Sequence, residues 1–155
     1  MDKSEFVYTT YIKTTPEKLW KALTNTEFMK QYWFGMSCTS EWTPGSRWEL
    51  HSSDGEIYDA GEVTESVPPT RLVIRWRHEK RPELKAEGYS LCVFDIETVG
   101  EAVKLTVTHG MEMSHSKTIE AVSGGWPKVL SNLKSLLETG HVVLAPGDHV
   151  RGKAA

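Results

Sequence analysis

Residues 126–137 constrain the fold more than any other stretch of this chain. Trp126, Val129, Leu130, Leu133, Leu136 and Leu137 recur at three- and four-residue steps, which stacks them along one face of an α-helix. Lys128, Ser131, Asn132, Lys134, Ser135 and Glu138 fall on the other face. Gly140 supplies the stop, because glycine enters the left-handed conformation that closes the last carbonyls without a Cβ penalty. A helix with so wide an apolar face must lie across an apolar surface made elsewhere in the chain. Gly124, Gly125 and Pro127 leave its beginning open. Either Pro127 sits in the first turn, where its missing N–H costs nothing, or the helix starts earlier and is loosened by about 1 kcal/mol per internal glycine.

The surface comes from upstream. Residues 6–14 read as a strand, followed by Thr15 as an N-cap and Pro16 in the first turn of a short helix whose apolar side is Leu19, Trp20 and Leu23. A second short helix fits 26–33. Strand-like runs follow at 36–42, 47–52 and 57–66, punctuated by Pro44-Gly45 and by the hairpin signal Asp54-Gly55, before Pro68 and Pro69 break the pattern. Leu72, Ile74 and Trp76, then Cys92, Phe94 and Ile96, then Val103, Leu105, Val107 and His109 alternate with their neighbours at the two-residue period of half-buried strands. Strands that follow one another without helical crossovers pair as antiparallel hairpins. The expected class is therefore α+β, a curved antiparallel sheet of about six to seven strands gripping one long C-terminal helix, with two short helices after the first strand.

Three distributed motifs carry a resemblance. They are Thr14, Thr15, Pro16, Glu17, Lys18, Leu19, Trp20, Lys21, Ala22, Leu23 and Thr24; then Asp54, Gly55, Gly61, Val63, Pro68, Pro69, Leu72 and Trp76; and the run 105–109 followed by Gly125, Trp126, Leu130, Leu133, Lys134, Leu137, Glu138 and Gly140. In order and spacing the chain resembles the family related to the C-terminal domain of the activator of the heat-shock-protein-90 ATPase, within the START-like (SRPBCC) superfamily of helix-grip folds. The resemblance implies that fold across nearly the whole chain and a long-helix start near Lys117. It also implies a possible chaperone partner, although no residues are left over for the separate N-terminal domain of the named eukaryotic activator. Relatives across the superfamily include cyclases, aromatases and hydrolytic proteins acting on polyketide-like molecules.

With 155 residues, one domain over 5–144 and a loosely held tail over 145–155 are expected. A net charge of -3 with interspersed signs argues against a nucleic-acid surface. The one basic run, Arg75, Arg77, His78, Lys80 and Arg81, is interleaved with Trp76 and Glu79 and followed by Glu83, and reads as a solvated strand end. No apolar run approaches the roughly twenty residues of a membrane span and no secretory signal is present, so a cytoplasmic protein without membrane partners is expected, monomeric or homodimeric. Cys38 and Cys92 form no metal motif, and Cys92 has the phase of a small buried hydrophobe.

Catalytic signatures are mostly absent: there is no nucleophile elbow, phosphate-cradling loop, zinc-protease helix pair or dinucleotide fingerprint. His109, Met111, Glu112, Met113 and His115 offer imidazole, carboxylate and thioether groups that suit a soft transition metal. Three-residue spacing converges only on a helix, however, and this segment leaves a strand for a loop, so no metal or other cofactor is expected. Six tryptophans remain to be explained. Trp20 suits the core; Trp76 and Trp126 suit either the core or the wall of a mostly apolar cavity. The expected activity is binding of a small apolar or aromatic molecule between sheet and helix, without demonstrable catalysis. Trp76, Phe94, Leu105, His109, Met111, Trp126, Val129, Leu130 and Leu133 would line the site, with His109 as the orienting polar group. Strand phase leaves the faces of His51, Tyr58 and Glu62 undecided. An acid-base variant of the site would need Glu62 or Glu112 beside His109.

Overall fold

The computed structural model describes residues 2–146. It holds seven strands and four helices among those residues: β1 (Ser4–Ile12), α1 (Pro16–Thr24), α2 (Thr26–Tyr32), β2 (Ser37–Ser40), β3 (Arg47–His51), β4 (Ile57–Val67), β5 (Arg71–His78), α3 (Pro82–Lys85), β6 (Ser90–Val99), β7 (Ala102–Met111) and α4 (Lys117–Thr139). The strands form one antiparallel sheet in the order β1-β7-β6-β5-β4-β3-β2. β1 pairs with the last strand, from Ser4 opposite Met111 to Ile12 opposite Val103. Helices α1 and α2 therefore carry the chain from one edge of the sheet to the other.

Local chemistry sets the boundaries. The Thr15 hydroxyl accepts from the Lys18 N–H at 3.2 Å ahead of Pro16, and Asn25 Oδ1 accepts from the Phe28 N–H at 2.8 Å, so both short helices begin with a side-chain cap. Helix α4 starts at Lys117 with Ser116 as N-cap, and Gly124, Gly125 and Pro127 lie inside it. It ends at Gly140, whose φ of 85° lets its N–H return to the Leu136 carbonyl. β7 alternates strictly, with Val103, Leu105, Val107, His109 and Met111 buried. The core lies between that face of the sheet and the apolar face of α4, where Trp126, Val129, Leu130 and Leu133 are buried. Gly61 in β4 has no room for a side chain: a Cβ there would stand 1.7 Å from the Arg75 carbonyl oxygen of β5.

Three features differ from the sequence reading. The single turn α3 between β5 and β6 was not expected; Pro82 at its start and the buried Leu84 hold it. Trp20 is only half-buried at the margin of the core. Asn132, expected on the polar face of the long helix, is 1% exposed. Its Nδ2 donates to the carbonyls of Tyr32 and Leu144 (3.4 and 3.0 Å), and its Oδ1 accepts the N–H groups of Val143 and Leu144 (2.9 and 2.7 Å). The chain folds back over this side of α4, and a fully bonded amide tolerates the burial. Residues 147–155 of the expected tail lie outside the described residues. No helix among the described residues is long and apolar enough to cross a membrane.

Candidate functional site

A pocket of about 340 Å³ opens between α4 and the sheet, where the ends of α2, β4 and β5 approach the helix. Its walls are mainly apolar: Trp33 and Met36 from the α2 end, Leu50 from β3, Trp76 from β5, and Val122, Gly125, Trp126 and Val129 from α4. Tyr58, His78, Lys80 and Arg81 also line it, and Asp59 of β4 contributes a carboxyl group. Of the two glycines inside α4, Gly125 borders the pocket, and a Cβ on it would meet nothing within 4 Å. The indoles of Trp33, Trp76 and Trp126 converge, with ring centroids 5.5 Å apart for Trp33–Trp126, 5.8 Å for Trp76–Trp126 and 6.5 Å for Trp33–Trp76.

Behind this wall runs a directed series of hydrogen bonds. The Trp126 indole N–H donates to His109 Nδ1 at 3.1 Å. Indole is a donor only, so Nδ1 must be the acceptor and Nε2 must carry the imidazole proton. Nε2 lies 2.8 Å from the Ser90 hydroxyl, which in turn donates to the Trp76 carbonyl at 2.9 Å. The Trp76 indole N–H then donates to Asp59 Oδ2 at 2.5 Å. His109 is fully buried, and burial lowers its pKa to about 3, so it is neutral at ordinary pH. Burial raises the Asp59 pKa to about 7; the Trp76 N–H opposes this, and the nearby charge of Glu79 adds to it.

Of the residues expected to line the site, Trp76, Trp126 and Val129 line this pocket. His109 sits one layer behind, its ring 5.0 Å from that of Trp76. Phe94 is buried edge-on against Trp126 at 5.8 Å, and Leu105, Leu130 and Leu133 are packed in the core. Met111, at the end of β7, lines a separate recess of about 300 Å³ with Arg75, Tyr89 and Leu91. Glu62 and Glu112 are exposed, and His109 makes its hydrogen bonds with Ser90 and Trp126, so the acid-base pairing with either glutamate is not formed. His51 contacts Thr39 and Glu49 at the β2–β3 pair, while Tyr58 does reach the pocket. Glu112 and His115 are exposed and apart from buried His109; among the described residues no three His, Cys, Asp or Glu side chains are grouped to hold a metal. Cys38 and Cys92 are free and buried.

Asp59, Trp33, Met36 and His78 were missed. For Asp59 the signal was present: with Val63 facing inward, the two-residue period also turns Gly61 and Asp59 inward. Trp33 and Met36 belong to a helix end and a loop, where no periodicity assigns a face.

A model of the family described as Activator of Hsp90 ATPase homolog 1-like protein matches residues 13–138. No curated protein matches the chain. Among solved structures, the chain is similar to the Aha1 dimer of Colwellia psychrerythraea, with 21% identity and a TM-score of 0.71 over 88% of this chain and 98% of the other. It is similar to an HSP90 activator from Plasmodium falciparum at 23% identity and a TM-score of 0.70, covering 86% and 95%. DynU16, from the dynemicin biosynthetic locus, shares 21% identity and a TM-score of 0.72 over 89% of this chain and 48% of its own. At these identities the likeness is one of fold.

Proposed function

The chain belongs to the family of Activator of Hsp90 ATPase homolog 1-like proteins, and from that premise we propose that it binds a small apolar or aromatic molecule in the pocket between α4 and the sheet. The observation that carries this reading is the pocket: about 340 Å³, walled mainly by three indoles and aliphatic side chains, with Tyr58, Asp59, His78, Lys80 and Arg81 as its polar lining. Ligand sites commonly begin at about 300 Å³ and combine an apolar lining with few polar groups. No catalytic role is assigned to any residue.

Gly125→Leu gives a direct test. The new side chain projects from a helical position into unfilled space, so it occupies the pocket while improving the local helix propensity. Calorimetric titration of the wild type with 2-naphthalenemethanol should show saturable binding, and Gly125→Leu should weaken it at least tenfold without lowering the unfolding midpoint. No binding to the wild type, or equal binding to both proteins, would remove the proposal.

A second reading, partnership with a heat-shock ATPase, is favoured by the family match over residues 13–138. Pull-down with the cognate chaperone and an ATPase assay with and without this protein test it. Absence of both binding and a rate change would discard it.

A further inference from the structure

Resting on the pocket reading above, we propose that the preferred ligand carries a protonated amine on its apolar body, with Asp59 as its counter-ion and the rings of Trp33, Tyr58, Trp76 and Trp126 around the ammonium group. The argument begins with the position of the carboxyl. Asp59 is 6% exposed yet lines the pocket. A carboxyl placed there loses hydration and is retained at a cost unless something compensates it. Oδ2 is held by the Trp76 indole N–H. The nearest cationic candidate for Oδ1 is His78 Nε2 at 3.9 Å, beyond hydrogen-bond reach. That oxygen takes no hydrogen bond among the described residues and can accept one from a ligand.

The charged groups nearby already have partners. Lys80 pairs with Glu56, Arg81 with Glu83 at 3.1 Å, and both Arg77 and Lys85 with Glu79, at 2.6 and 3.2 Å. None of these cations is committed to Asp59, so among the described residues its cationic neighbour is His78 alone, at 3.9 Å. Aromatic faces complete the chemistry, because the negative face of an indole or phenol attracts a cation, and more strongly where water is excluded. His109, a second buried ionisable group behind the wall, is neutral and has both ring nitrogens engaged, so it does not compete for the amine. The raised pKa of Asp59 agrees with a carboxylate that lacks its counter-ion, and an adjacent ammonium would lower it.

Two isosteric probes separate this inference from the pocket reading on which it rests. At pH 8, where Asp59 is mainly ionised, 2-naphthylmethylamine and 2-naphthalenemethanol are titrated calorimetrically into the wild type and into Asp59→Asn. The amine should bind the wild type at least tenfold more tightly than the alcohol. In Asp59→Asn, whose amide oxygen can still accept the Trp76 N–H, that ratio should fall to about one. Equal affinities in the wild type, or an amine preference that persists in Asp59→Asn, would overturn the amine assignment and leave the pocket reading standing. Failure of the wild type to bind either probe would overturn both. The two-probe comparison in the wild type decides the matter even if the variant folds poorly.

Discussion

Asp59 and His109 are buried with pKa values displaced in opposite senses, and the two displacements act against each other on stability. The carboxyl is raised from 3.8 to about 7, so between those values the folded protein holds a proton that the unfolded chain has released. Its contribution is present below about pH 4 and is lost as pH rises through 7. The imidazole is lowered from 6.5 to about 3. Its contribution is present above pH 6.5 and is lost as pH falls toward 3, because there the unfolded chain binds the extra proton. Together they nearly cancel between about pH 4 and 6.5, each slope being at most about 1.4 kcal/mol per pH unit. Asp59→Asn removes one of them. The stability gain of this variant over the wild type should grow with pH from about 4 to 7 and then level off, as read by urea unfolding at a series of pH values. Identical pH profiles for the two proteins would refute this account. The alternation of β7 points to His109, whereas Asp59 is hidden in the sequence because a carboxylate is normally outside. The phase of Val63 was the better guide than the polarity of the side chain.

At the scale of elements, α4 was legible because its apolar stripe is long, and its stop at Gly140 has a local cause. What fastens its beginning was not legible. Glu87, in the loop before β6, accepts from the Ser116 hydroxyl at 2.7 Å and from the N–H groups of Lys117 and Thr118 at 2.8 and 3.1 Å. This carboxylate answers three donors at the positive end of the helix from about thirty residues away, a distance at which no spacing rule operates. The glycine pair inside α4 divides by position. Gly124 is exposed and a Cβ there would meet nothing within 4 Å, whereas Gly125 borders the pocket. Gly124→Ala should therefore stabilise the protein by about 1 kcal/mol and leave probe binding intact. Thermal unfolding and the naphthalenemethanol titration check both halves of that statement; a lowered midpoint would mean that the exposed glycine serves some need other than space.

For the whole molecule, the antiparallel class followed from strands joined without crossovers, but the closing of β1 onto β7 depended on where α1 and α2 take the chain, which no local pattern states. The close passage of β4 over β5 at Gly61 was equally hidden. Gly61→Ala should place a methyl carbon against the Arg75 carbonyl, force the two strands apart beside Trp76, and lower stability by roughly 1–3 kcal/mol. Denaturant unfolding measures it, and an unchanged midpoint would show that the strands part freely. The hydrogen-bonded series from Trp126 to Asp59 links α4 with β7, β6, β5 and β4 in turn. The direction of its bonds from Trp126 to the Trp76 carbonyl is set at the helix end, because indole can only donate. His109 is thereby a built-in spectroscopic gauge: while α4 rests on the sheet, its imidazole is locked as the Nε2–H tautomer, and a guest that lifts Trp126 by even a fraction of a hydrogen-bond length releases Nδ1. The nitrogen chemical shifts of this one ring would report the seating of the helix without any label in the pocket.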